Sequence, residues 1–302
     1  MRRERIPLTV IGGYLGSGKT TLLNHLLRHP GGRRIGVIVN DFGSLAIDAA
    51  LLADAAGDDV ISLPNGCVCC TVGAGLHESL GALAERELDH VVIEVSGVAD
   101  PSAAGAWGTV PPFEPSGVIV LADATSVVRR SRDRYVGSEV TRQLQGADLV
   151  VVTKADACDE ARLDEVERWV AAASGGAPSI RVVAGRVPPD VSLGARSRRE
   201  RTASAHSGAM HDDRYESWSW TSSVPTPRGA LDRLLAALPD GVLRVKGRVQ
   251  VDDGSWVLVQ VVGRRVEVTP TAPSVASELV AIAIRQEKRQ HPAPNPFVLH
   301  FG

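Results

Sequence analysis

The chain has 302 residues, 44% of them hydrophobic, and its 35 acidic and 33 basic side chains give a formal net charge of −2. That length suits two domains, or one large α/β domain with an appendage. Balanced charge leaves no polyanion-binding footprint, so nucleic acid is not an implied partner, and no apolar run approaches the roughly 20 residues of a membrane-crossing helix.

The opening Met1-Arg2-Arg3-Glu4-Arg5 lacks the apolar stretch of a secretory signal, so a cytoplasmic protein is expected. Residues 8–11 then form a short apolar run, followed at once by Gly13-Tyr14-Leu15-Gly16-Ser17-Gly18-Lys19-Thr20. This is a complete G-x-x-x-x-G-K-[ST] loop between a strand and a segment of helical spacing, the context such a loop requires. Its glycines let the backbone wrap closely and aim successive N–H groups at a phosphate. The helix N-terminus adds partial positive charge, Lys19 reaches the β/γ oxygens, and the Thr20 hydroxyl can ligate Mg²⁺. Nucleoside triphosphate binding is expected.

Apolar runs recur at 35–40, 60–63, 91–96, 117–123, 149–154 and 180–184, with helical segments at 19–29, 74–87, 136–146 and 159–173. Continuous rather than alternating runs suit parallel strands covered on both faces. The expected fold is a doubly wound, mostly parallel α/β sheet with ligands beyond the strands' carboxyl ends.

Cys67-Val68-Cys69-Cys70 concentrates three of the four cysteines. Three thiols within four residues offer soft ligands to Zn²⁺ or a similar ion, with a fourth position supplied from elsewhere or left open. Ordinary buried cysteines, or redox pairing of Cys67 with Cys70, are the competing readings. Cys158 is expected to pack near its own loop.

Val91-Val92-Ile93-Glu94-Val95-Ser96-Gly97 ends an apolar strand in an acid and a glycine. That supplies a carboxylate near Mg²⁺ and a turn able to sense a γ-phosphate. Further on, Thr153-Lys154-Ala155-Asp156 closes another apolar strand. A carboxylate there can accept both N1–H and the exocyclic amine of guanine, a donor pair adenine lacks, so GTP is favoured over ATP. The Lys154 stem can lie along the base plane.

Residues 187–215 are rich in small and charged residues and are expected to form a flexible linker. His206 and His211 within it are candidate metal-capturing side chains, weighed against a solvated loop. Beyond it, alternation at 217–221, a helix near 227–238, and runs at 243–251 and 256–268 around Asp252-Asp253-Gly254-Ser255 predict a hairpin in a small α+β domain. The expected organisation is a nucleotide domain over 1–186, the linker over 187–215 and a C-terminal domain over 216–302.

Taken together, Gly12-Gly13-Tyr14-Leu15-Gly16-Ser17-Gly18-Lys19-Thr20-Thr21, Asn40-Asp41-Phe42-Gly43, Asn65-Gly66-Cys67-Val68-Cys69-Cys70, Glu94-x-x-Gly97 and Arg244-Val245-Lys246-Gly247 resemble the CobW/cobalamin-synthesis-like GTPases. These share a P-loop class with the urease and hydrogenase metallocentre GTPases. The resemblance implies a GTP-hydrolysing metallochaperone with a CobW-type C-terminal domain. By matching position, Gly13, Gly16, Ser17, Gly18, Lys19, Thr20 and Thr21 would bind phosphates and Mg²⁺, with Lys19 and Glu94 in catalysis. Gly97 would sense the γ-phosphate, Thr153, Lys154 and Asp156 would read guanine, and Cys67, Cys69 and Cys70 would hold metal. Family members carry Asn-Glu-Phe-Gly-Glu where this chain has Asn40-Asp41-Phe42-Gly43-Ser44; Asp41 keeps a metal-capable carboxylate on a shorter arm, and Ser44 removes the second acid.

The leading expectation is a metallochaperone that couples GTP to zinc, or to cobalt, which fits the same donors. A client metalloprotein and a second copy of the chain are the candidate partners. Two rivals remain: a small-molecule kinase or ATPase with incidental thiols, and a non-catalytic metal buffer or regulatory module.

Overall fold

The computed structural model describes residues 5–40, 60–63, 72–97, 99–194, 215–239, 241–285 and 297. They fall into two compact units, 1–187 and 188–302. In the first, β1 (Ile6–Gly13), β2 (Ile35–Asn40), β3 (Val60–Leu63), β4 (His90–Glu94), β5 (Phe113–Asp123), β6 (Leu149–Thr153) and β7 (Ser179–Arg181) form one sheet. Its order is β3-β2-β4-β1-β5-β6-β7, and every pairing is parallel. Strands such as Leu149–Thr153 are buried along their whole length, as sheet covered on both faces demands.

β1 lies at the centre of this sheet, between β4 and β5, with Ile11 opposite Glu94 and Gly13 opposite Leu121. That register brings the glycine-rich loop out beside the ends of both neighbours. Three differences from the sequence reading have plain causes. β5 starts at Phe113 rather than 117, because Phe113-Glu114-Pro115 pairs with Ile6-Pro7-Leu8. Prolines discourage a strand reading, and they are tolerated here next to an irregularity in register between Leu8 and Val10. Two helices, Pro101–Gly105 and Val127–Ser131, are only five residues long, too short for a 3.6-residue period to register.

In the second unit, β8 (Tyr215–Ser222), β9 (Val242–Gln250), β10 (Trp256–Val262), β11 (Arg265–Pro270) and β12 (Ser277–Ile284) make an antiparallel sheet of order β11-β10-β9-β12-β8. The helix Arg228–Ala236 packs Leu231 and Leu234 against Val245, Val259, Leu279 and Ala281. The run read as one strand over 256–268 is two, because Gly263 at φ 55 turns the chain back on itself. Residues Pro189–Leu193, inside the expected linker, form a helix with Val191 and Leu193 buried. The buried guanidinium of Arg244 holds it there, with Nε donating to Val191 O at 2.8 Å and Nη2 donating to Ser192 O. At Gly247 a Cβ would lie 1.8 Å from Glu278 O, so β9 and β12 meet at a distance only glycine allows.

Candidate nucleotide-binding site

The loop from Gly13 to Lys19 is shaped by left-handed glycines: Gly13 at φ 134, Gly16 at φ 76 and Gly18 at φ 95. At Gly13 the requirement is also steric, since a Cβ would sit 2.6 Å from Ser17 Oγ and 2.7 Å from Leu121 O. The helix Lys19–Arg28 starts directly from Gly18, with Leu22, Leu23, Leu26 and Leu27 buried. The positive end of its dipole is therefore directed at the loop, which favours an anion there. Lys19 is buried and donates from Nζ to Gly13 O at 2.8 Å, closing the loop on itself. Thr20 is half-buried beside it and Thr21 is exposed.

Glu94 is buried at the end of β4, and Val95 N donates to Ile11 O at 3.0 Å, so the Glu94–Gly97 segment leaves the sheet alongside the loop. Gly97 lies against the loop itself: a Cβ there would stand 2.6 Å from Leu15 N. Oxygen donors from Thr20 and Glu94 are the kind of set that Mg²⁺ accepts.

Thr153, read as part of the guanine-reading motif, is buried and donates from Oγ1 to Ser17 O at 2.7 Å. Its hydroxyl braces the phosphate loop. Lys154 stands in the left-handed region at φ 55, and its Nζ is 2.9 Å from Asp123 Oδ2. Asp156 is exposed in the short 3-10 turn Ala155–Ala157. Burial alone would raise the Asp123 carboxyl, but hydrogen bonds from Lys154 and Thr125 outweigh it and hold the group below the ordinary aspartate value.

A family model described as "CobW/HypB/UreG, nucleotide-binding domain" matches residues 7–181, and one described as "Cobalamin synthesis protein cobW C-terminal domain" matches residues 215–291. The chain belongs to the CobW/HypB/UreG family. It is 32% identical over 307 residues to the zinc chaperone CobW of a Sinorhizobium species, covering 87% of each chain. A zinc chaperone CobW of Pseudomonas aeruginosa is also 32% identical, over 86% of this chain and 81% of the relative. Among solved structures, the Zn(II)-bound YjiA GTPase from E. coli aligns over 94% of this chain and 96% of its own, at 22% identity and a TM-score of 0.42.

Within this CobW-family chain, the structure brings Gly13, Gly16, Ser17, Gly18, Lys19, Thr20, Glu94, Gly97 and Thr153 together around one loop. Asp41, Cys67, Cys69, Cys70, His206 and His211 lie outside the described residues. For Asp41 and the thiol segment the described flanks meet in register, because Asn40, which ends β2, pairs with Leu63, which ends β3. Cys158 is half-buried and packs against the core of the first unit rather than only near its own loop. Among the described residues no group of three or more His, Cys, Asp or Glu is placed to hold a metal ion, and no helix is long and apolar enough to cross a membrane.

Three side chains at the site escaped the sequence reading. Asp123 ends an apolar strand at the ligand-facing edge, which was a usable signal. Arg130 donates from Nη1 to Leu15 O and lies 5.0 Å from the Tyr14 ring centroid. Gln143 donates to the carbonyls of Gly97 and Ala99. Neither Arg130 nor Gln143 belongs to a local motif, and only the folding of the helices Val127–Ser131 and Gly137–Gln145 beside the loop brings them in.

Proposed function

We propose that this chain is a GTP-hydrolysing metallochaperone whose nucleotide state sets how tightly a divalent metal is held by Cys67, Cys69 and Cys70. The observation that carries the reading is the braced loop: Lys19 on Gly13 O and Thr153 on Ser17 O fix a cradle for phosphates next to Glu94 and Gly97. Loop N–H groups and Lys19 bind the phosphates and neutralise charge that develops on the β/γ oxygens as water replaces the β–γ bridging oxygen. Thr20 and Glu94 are the residues that would hold Mg²⁺, which supplies further charge neutralisation. Asp156 accepts the guanine donor pair, and Lys154 flanks the base.

The metal is cargo. Three thiolates favour zinc, with cobalt as the alternative, and 32% identity to zinc chaperones across most of the chain supports zinc. Asp41 and the thiol segment follow β2 and β3, whose ends pair at Asn40 and Leu63. Ordering of the Asp41 segment by a γ-phosphate is therefore expected to alter the thiol site, and linkage makes the effect reciprocal. The recipient is a client metalloprotein in the cytoplasm.

The test is a zinc competition titration of the full chain with GDP and with a non-hydrolysable GTP analogue. A severalfold difference in zinc affinity is expected; equal affinities in both states would remove the coupling.

A further inference from the structure

Gln143 is 1% exposed in the helix Gly137–Gln145, and its Nε2 is 3.0 Å from both Gly97 O and Ala99 O. Two carbonyl acceptors fix the amide orientation, because the flipped form would set Oε1 against both. The carbonyl end is thereby turned away, and Gln143 Oε1 is buried without a protein partner. Ser17 Oγ is in the same condition in a residue 2% exposed. Gln143 and Ser17 line one cavity, together with Tyr14, Leu121, Asp123 and Ser126. It is roomy enough to admit a water, and buried waters occur where polar groups lack partners.

We infer that Gln143 is a positioning residue that ties the Glu94–Gly97 turn to the phosphate loop through one buried water shared with Ser17. The water donates to Gln143 Oε1 and bonds the Ser17 hydroxyl. The amide hydrogens of Gln143 meanwhile hold the carbonyls on either side of residue 98. A pull on Gly97 by a γ-phosphate is then carried along one hydrogen-bonded chain to the loop that grips the other phosphates. This deepens the GTPase reading above and rests on it.

The test compares GDP with a non-hydrolysable GTP analogue on the full chain. Gln143→Met, similar in volume but without amide hydrogen bonds, is expected to weaken the analogue at least fivefold. GDP affinity should stay within twofold, and kcat for GTP hydrolysis should fall about tenfold. Ser17→Ala should act in the same direction, and the double variant should be no worse than the worse single. A role in packing alone would weaken both nucleotides equally, so an unchanged analogue-to-GDP ratio, or multiplicative losses in the double variant, overturns the proposal. Lys19→Ala separates the two claims. If it keeps full nucleotide affinity, the GTPase reading fails; if it loses binding while Gln143→Met keeps the ratio, only the Gln143 proposal fails. A crystal structure of the wild-type chain with GDP decides independently of any variant's folding. An ordered water within about 3.2 Å of both Gln143 Oε1 and Ser17 Oγ is expected, and its absence rejects the inference.

Discussion

Lys154 Nζ sits 2.9 Å from Asp123 Oδ2, which ties the left-handed residue of the Thr-Lys-x-Asp loop to the end of β5. The other Asp123 oxygen accepts from Thr125 N at 2.9 Å and from Thr125 Oγ1 at 2.6 Å, so the carboxylate is held at both ends. Asp123→Asn keeps the shape and removes the charge that Lys154 leans on. Lys154 is nearly half exposed, which limits the cost. GDP affinity is expected to fall about threefold to tenfold and the preference over ADP to narrow, as read by paired titrations.

Gly97 has no room for a side chain. A Cβ would meet Leu15 N at 2.6 Å and Leu15 Cδ2 at 2.8 Å, so Gly97→Ala must push the turn off the phosphate loop. Hydrolysis of GTP should drop by about tenfold or more with the fold retained, measured as single-turnover rates beside a circular dichroism melt.

Replacing Cys67, Cys69 and Cys70 together by serine exchanges soft donors for hard ones. Zinc affinity in the presence of a GTP analogue should fall by at least about a hundredfold, whereas GDP affinity should stay within twofold. Competition titration with a chromophoric chelator reads the first, and fluorescence of a labelled nucleotide reads the second.

Burial, then the neighbouring His29 and Arg186, hold the His25 imidazole below its ordinary value. The folded state thus disfavours the proton more than the unfolded chain does. This stabilising contribution is complete above about pH 6.5 and shrinks as pH falls toward the native value, because the unfolded state takes up the proton first. In His25→Gln the loss of thermal stability between pH 7.5 and 5.5 should be smaller than in wild type.

Arg181 Nε donates to Glu167 Oε1 at 2.8 Å, and Nη2 reaches Glu167 Oε2 at 2.8 Å and Asp164 Oδ1 at 2.9 Å. Hydrogen bonding to Glu167 leads the causes that raise the guanidinium's pKa further. The network clamps the helix Glu160–Ala173 to edge strand β7, though its acidic partners range from partly to largely exposed. Arg181→Ala should cost about 1 kcal/mol at low salt and less at high salt, as followed by urea denaturation.

Legibility in the sequence tracked how local the cause was. β2 and β3 could be read to the residue, because Ile35-Gly36-Val37-Ile38-Val39 and Val60-Ile61-Ser62-Leu63 are bounded apolar runs. The phosphate loop was legible because glycine conformation and lysine placement act within eight residues. What stayed hidden depends on tertiary approach. The Thr153 hydroxyl bonds Ser17 O, 136 residues away, a contact that no local pattern announces. Gln143 reaches Gly97 across 46 residues and carries no local mark. The helix Pro189–Leu193 was lost in a polar stretch because its anchor, Arg244, comes from another strand.

The bare α-carbon at Gly247 determines how the second unit can fail. β9 is the middle strand of five, and β12 passes so near that even a methyl group would collide with its main chain. An added side chain would part the sheet down its midline, leaving β9, β10 and β11 on one side and β12 with β8 on the other, instead of fraying an outer rim. Arg244, buried on the carbonyls of Val191 and Ser192, and Gly247, pressed against Glu278 O, give two residues of the Arg-Val-Lys-Gly signature a role in assembling the second unit.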